Sequence, residues 1–215
     1  MVVICLLILS GCQALSEEAL QYQENYEIIG NEKEKMLENT SHVIYKSIDR
    51  ENSKAKEITI DAIYKEGKNV IPTEGRYQIT GQLTGNVYIY DEEDNLLFHD
   101  LIAPNPLGVE SITIDLDGTN ILHVDGFDQV NVMPVSTQLL KELTPGIWEV
   151  GKDIQAGNYS VTGEGFGYLE VFEQGKVPRI YEVIGGESQT KTELSLQDGQ
   201  KLRITKLVKV KFESN

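Results

Sequence analysis

Three glycines alternate through Gly163-Glu164-Gly165-Phe166-Gly167. Backbone N–H groups in such a run can cradle a phosphate when the run feeds the N-terminus of a helix. Here it leads into YLEVF, residues 168–172, which alternates as a strand does, and no Lys-Ser or Lys-Thr follows. Turn glycines in a β-sheet are therefore expected. Three histidines, His42, His99 and His123, offer general-base chemistry, and His99 precedes Asp100. No Gly-x-Ser-x-Gly elbow accompanies them, so solvated or structural histidines are expected. Asp91, Glu93 and Asp94 crowd one short polar run with Asn95, and such oxygen donors suit Ca²⁺. The spacing fits no EF-hand loop, which leaves a weak calcium site or a solvated hairpin turn.

Aromatic and basic side chains are the remaining candidates. Tyr88 and Tyr90 alternate with Val87 and Ile89, Tyr168 and Phe172 alternate with Leu169 and Val171, and Trp148 follows Ile147. Aromatic strand faces stack on sugars, anchor a protein partner, or fill the contact between two domains. Lys201, Arg203, Lys206, Lys209 and Lys211 punctuate a strand-like C-terminal stretch. They would meet an anionic wall polymer or an acidic surface of the same chain, or else form a solvated face.

The elements that position these groups begin after an address. Residues 1–12, MVVICLLILSGC, carry an apolar run too short to span a bilayer but of the size of a secretory core. Leu9-Ser10-Gly11-Cys12 resembles the bacterial lipobox, which implies cleavage before a diacylglyceryl-modified Cys12 and an anchor in the outer face of the cell membrane. Residues 1–11 would then be the signal peptide. No basic residue precedes Val2, so the natural start is expected a few residues upstream. The only two cysteines are Cys5 and Cys12, so the rest of the chain has neither a disulfide framework nor a cysteine-based zinc site. The formal net charge of −15 argues against nucleic acid as a partner. Residues 58–137 hold thirteen acids against three bases, and so carry most of that excess.

Residues 12–57 read as a lipidated tether with two helices and a polar linker over 49–57, with Ser16 capping the first helix and Asn31 to Glu34 resembling a capping box for the second. From residue 58 the helical period gives way to short alternating runs bounded by Gly, Asp, Asn and Pro. The expected fold is mainly β: two related antiparallel sandwich-like units, 58–137 and 138–215, behind an N-terminal helical spacer. The units align. Residues 67–91 lie on 151–173 and residues 117–132 on 198–212, matching Gly75 with Gly157, Tyr77 with Tyr159, Gly85 with Gly167 and Asp117-Gly118 with Asp198-Gly199. VGKDIQAGNYSV, residues 150–161, resembles a Val-Gly-Lys-Asp-Ile…Ala-Gly-x-Tyr repeat of secreted and lipid-anchored Gram-positive proteins. That resemblance implies location and a β fold but supplies no catalytic residues. The functional expectation is a non-enzymatic binding or structural module at the cell envelope, with no cofactor beyond the lipid on Cys12. The alternatives are an accessory or cryptic envelope hydrolase using a His/Asp pair, and an immunity or inhibitor protein.

Overall fold

Alternation of buried apolar and outward polar residues runs through nearly every segment beyond residue 57 in the computed structural model, which describes residues 15–61 and 66–215. In the first unit, β2 (Ile58–Asp61), β9 (Gln129–Pro134), β4 (Gly75–Gln82) and β7 (Ile112–Leu116) form one antiparallel layer. The second layer is β3 (Lys68–Val70), β8 (Ile121–Asp125), β5 (Gly85–Tyr90) and β6 (Leu96–Ile102). Val87, Ile89, Leu122 and Val124 of the second layer face Tyr77, Ile79, Ile114 and Val132 of the first in one buried cluster.

The second unit repeats this with longer strands. β12 (Gly157–Phe172) does the work of β4 and β5, and β15 (Lys201–Ser214) that of β8 and β9. Around them lie β10 (Glu142–Leu143), β11 (Gly146–Glu149), β13 (Arg179–Ile184) and β14 (Thr192–Leu196). Each pairing of the first unit has a counterpart, and the registers coincide. Gly75 faces Leu116 as Gly157 faces Leu196, and Ile89 faces Leu122 as Val171 faces Leu202. These registers pass through 117–120 and 197–200 without a gap. Asp117 therefore corresponds to Gln197, one residue away from the Asp-Gly match read in the sequence. The shared hydrogen bond agrees: Asn120 Oδ1 accepts from Asp117 N at 2.8 Å, and Gln200 Oε1 from Gln197 N at 2.9 Å. A second device is also duplicated, since the Tyr77 hydroxyl donates to Thr73 O and the Tyr159 hydroxyl to Gln155 O, both at 2.8 Å.

The alternating glycines sit inside β12, at the corner where it leaves one layer for the other, with register shifts opposite β15 around Gly165. A strand follows them, so they build no helix-borne phosphate cradle. A Cβ on Gly167 would lie 2.1 Å from Thr205 O, and one on Gly85 lies 2.3 Å from Asp125 O, the equivalent clash. Gly165 does not recur because its left-handed backbone, φ +93°, is supplied in the first unit by Leu83 at φ +66°. The converse exchange places Lys206, φ +61°, where the first unit has Gly126.

The two units join where β7 and β11 pair in parallel at Thr113 and Gly146, extending the first layer into an eleven-stranded sheet. Ile147 and Phe172 of the second unit are buried in the first unit's core cluster. The N-terminal segment departs most from expectation. It is helical in α1 (Glu17–Asn25) and α2 (Gly30–Leu37), with Ser16 capping α1 as foreseen, but α2 has no side-chain cap. Between the helices β1 (Glu27–Ile28) adds to the edge of β13, and Ile44 enters the first unit's core. The supposed polar linker is a clasp: Arg50 is buried between the units, and the Asn52 side chain bonds both Arg76 N and Val135 O. The segment is thus strapped across both units, because its apolar residues have faces of the body to cover. Cys12 and the segment expected to be a signal peptide lie outside the described residues, as do residues 62–65.

Candidate functional site: a cleft between the two units

A buried ion network locks the junction. Arg76 Nη1 meets Asp115 Oδ1 at 2.7 Å and its Nη2 meets Asp153 Oδ1 at 2.9 Å, while Arg50 reaches Asp115 at 2.6 Å and Asp153 at 2.9 Å. Burial alone would lower the Arg50 pKa, but Asp115 and Asp153 outweigh it and hold the guanidinium charge. Beside them Lys201 Nζ lies 2.6 Å from Glu149 Oε2. Burial works to raise the Glu149 carboxyl, yet Lys201, Lys152 and Ser47 overcome it and hold the group down at about 2. Lys201 itself is pushed down by burial, which its partnership with Glu149 offsets only in part.

Several sequence candidates are consumed by this architecture. Lys201 is 3 % exposed, and Arg203 is buried with its guanidinium paired to Glu170 and bonded to Leu97 O at 3.2 Å. Phe172 is core, under Arg203 and edge-on to Tyr45. Trp148 is buried, donating to Thr144 O at 2.8 Å with the Arg76 guanidinium 4.9 Å from its ring centroid. Lys201 and Phe172 are enclosed, while Arg203 and Trp148 show only an edge, each at the wall of a pocket. Lys209 pairs with Glu142 and Glu164, and Lys211 with Glu213, so their charge is met within the strand's own surroundings. Asp91 is engaged within its own turn: its oxygens accept from Ser41 Oγ at 2.6 Å and from the N–H groups of Glu93 and Asn95. Burial opposes its ionisation, but these bonds prevail and lower its pKa. Glu93 and Asp94 are exposed on the same turn, and among the described residues no cluster of three metal-ligating side chains occurs.

The remaining candidates gather around one place. Tyr88 and Tyr90 stay half-exposed and stacked, with centroids 6.2 Å apart, and the His99 ring lies flat on Tyr88 at 4.2 Å. His99 opens onto a two-lobed cleft between β6 and the β12–β15 corner. One lobe, about 200 Å³, has a mixed lining that includes Tyr168, Glu170, Arg203 and Thr205. The other, about 360 Å³, is lined largely by apolar groups, among them Leu107, Phe166 and Val208. His99 and Lys206 belong to both. Leu107 is 72 % and Phe166 54 % exposed at the rim. Lys206 has no carboxylate within ion-pair distance among the described residues and lies over Tyr168, 5.7 Å from its centroid.

In the cleft His99 and Asp100 form no hydrogen-bonded pair. Burial, with Lys206 nearby, lowers the His99 pKa and keeps the imidazole neutral, and its Nε2 makes no hydrogen bond. Asp100 also lines the apolar lobe, but its oxygens are taken up by Leu101 N at 2.8 Å and Lys206 N at 2.7 Å. Burial raises the Asp100 pKa despite those bonds. His123 lies beyond Tyr88 on the same sheet face, 5.8 Å from that ring's centroid and 2.6 Å from Asn69 Oδ1. Of the residues singled out from the sequence, Tyr168 and Lys206 line this cleft; Leu107 and Phe166, which lie in loop and corner, were not among them. Nor was the hub Asp153, although that residue is the Asp of the Val-Gly-Lys-Asp-Ile motif. The aligned sequence has Asn69 there, but the strand registers set Asn69 opposite His123, to which it bonds, as they set Ile147 opposite Arg203. No protein-family model matches this chain, and no curated protein or solved structure matches it.

Proposed function

We propose that the chain is a lipid-anchored protein of the outer membrane face whose β body binds an envelope component through this cleft, without chemistry of its own. Supporting the location is the Leu9-Ser10-Gly11-Cys12 motif. The reading is carried by one observation: Leu107 and Phe166 stand exposed beside the unpaired Lys206 at the mouth of an apolar lobe. Large apolar side chains grouped around a concavity mark contact sites, because their burial on binding is favourable and a nearby charge orients the partner. The partner accordingly presents an apolar anchor and an acidic group.

The test is co-sedimentation of the full-length protein, carrying Cys12→Ser to remove the anchor, with purified envelope fragments. A Leu107→Asp/Phe166→Asp variant is expected to lose binding about tenfold or more, since hot-spot truncations cost upwards of 2 kcal/mol. Its melting temperature should not move, because both side chains are exposed. Equal sedimentation of the two proteins would refute the cleft as the binding site.

A further inference from the structure

On the other flank of the junction lies a second concavity of about 530 Å³ that shares no lining residue with the cleft. Its floor holds Arg76 and Asp153, which are 1 % and 0 % exposed. Their charges cancel, with Arg50 and Asp115 completing two cations and two anions. Gln78, Thr113, Ser136, Gln138 and Thr144 line the walls, and Trp148 with Leu140 and Pro134 adds apolar surface. Among the described residues the side chains of Thr113, Ser136, Gln138 and Thr144 make no hydrogen bond, while Gln78 has only a long one, 3.4 Å to Ser111 Oγ. The loop carrying much of this wall is pinned in place. Val135 N donates to Arg76 O at 2.9 Å, Asn52 Nδ2 to Val135 O at 2.8 Å, and Leu140 N to Asp153 O at 2.7 Å.

A preformed concavity with unspent amide and hydroxyl groups, apolar wall and a neutral floor has a definite chemical complement. An apolar ligand would strand the polar groups without partners. An anionic polymer needs free cations, and Arg76 is already committed to two carboxylates. A sugar presents several hydroxyl donors and acceptors on a ring whose C–H faces are apolar, and carries no charge. We infer that this concavity binds a neutral oligosaccharide. The inference does not depend on the cleft, so the protein would hold an envelope partner on one flank and a glycan on the other.

Trp148 is the only tryptophan of the chain and lines the concavity, so its fluorescence reports occupancy directly. The full-length Cys12→Ser protein is titrated with an N-acetylglucosamine tetramer, with maltotetraose and with polyglycerol phosphate. A saturable change in Trp148 emission is expected with at least one neutral sugar, and none with the polyanion. Gln138→Ala or Gln78→Ala should weaken that response about threefold to tenfold, the worth of one neutral hydrogen bond. Leu107→Asp/Phe166→Asp, in the other cleft, should leave it unchanged. No saturable change with either sugar up to about 10 mM, a stronger response to polyglycerol phosphate, or indifference to both glutamine variants would overturn the inference. Loss of envelope sedimentation with this titration intact would instead count against the cleft alone.

Discussion

Asp153 takes its partners from three parts of the chain: Arg50 of the N-terminal segment, Arg76 of β4, and the N–H of Glu149 in β11 at 2.8 Å. Removing one partner of such a buried set leaves an uncompensated charge, so Asp153→Ala should cost about 3–5 kcal/mol in urea denaturation. Glu149 supplies the pH dependence. Its carboxyl falls from an ordinary 4.5 to about 2 on folding, so its contribution is full above about pH 4.5 and vanishes as pH drops through about 2. On the order of 3 kcal/mol should be lost across that window, and Glu149→Gln should flatten the profile there. Lys201 and Arg203 show why part of the site was illegible in the sequence. Alternation assigns them to one strand face but does not say that another unit covers that face. Ile121 and His123 hold the equivalent places on β8, and there the face stays partly open.

At the level of elements, strands with long alternating runs were legible, whereas β1, β3 and β10 were not, because two or three residues are too few to show a period. β12 and β15 read as two strands each for a related reason. The corner between their halves has the glycines of a turn, yet the hydrogen-bond ladder continues through it. The N-terminal helices were legible, but their docking depended on Ile28, Ile44 and Arg50, single residues in polar surroundings. Gly146 is the tightest element contact at the junction. A Cβ there would fall 1.9 Å from Thr113 O, and the backbone has φ +144°. Gly146→Ala should therefore destabilise by about 1–3 kcal/mol or more, and hydrogen exchange should quicken first in β7 and β11. Gly175→Ala makes a control, since nothing lies within 4 Å of its Cβ, although its positive φ still adds backbone strain.

For the molecule as a whole, two units with matching strand registers stand in an unlike arrangement. Glu170 and Phe172 of the second unit occupy the positions of Tyr88 and Tyr90 in the first, yet they are buried against the first unit while the tyrosines face outward. The packing is thus head-to-tail rather than twofold, and it creates flanking concavities that neither unit owns. Shared core residues and the strap across both units predict a single calorimetric unfolding transition. Asp153→Ala should separate it into two or broaden it, and two separate transitions in the unaltered protein would contradict the shared core. Hydrogen exchange of the full-length Cys12→Ser protein, with and without saturating envelope fragments, tests the central claim that the junction cleft is the binding site. Protection confined to residues 96–108, 163–168 and 203–208 is the predicted result. Protection centred on the acidic turn at 91–95 or on Lys209 and Lys211, with the cleft unchanged, would contradict it.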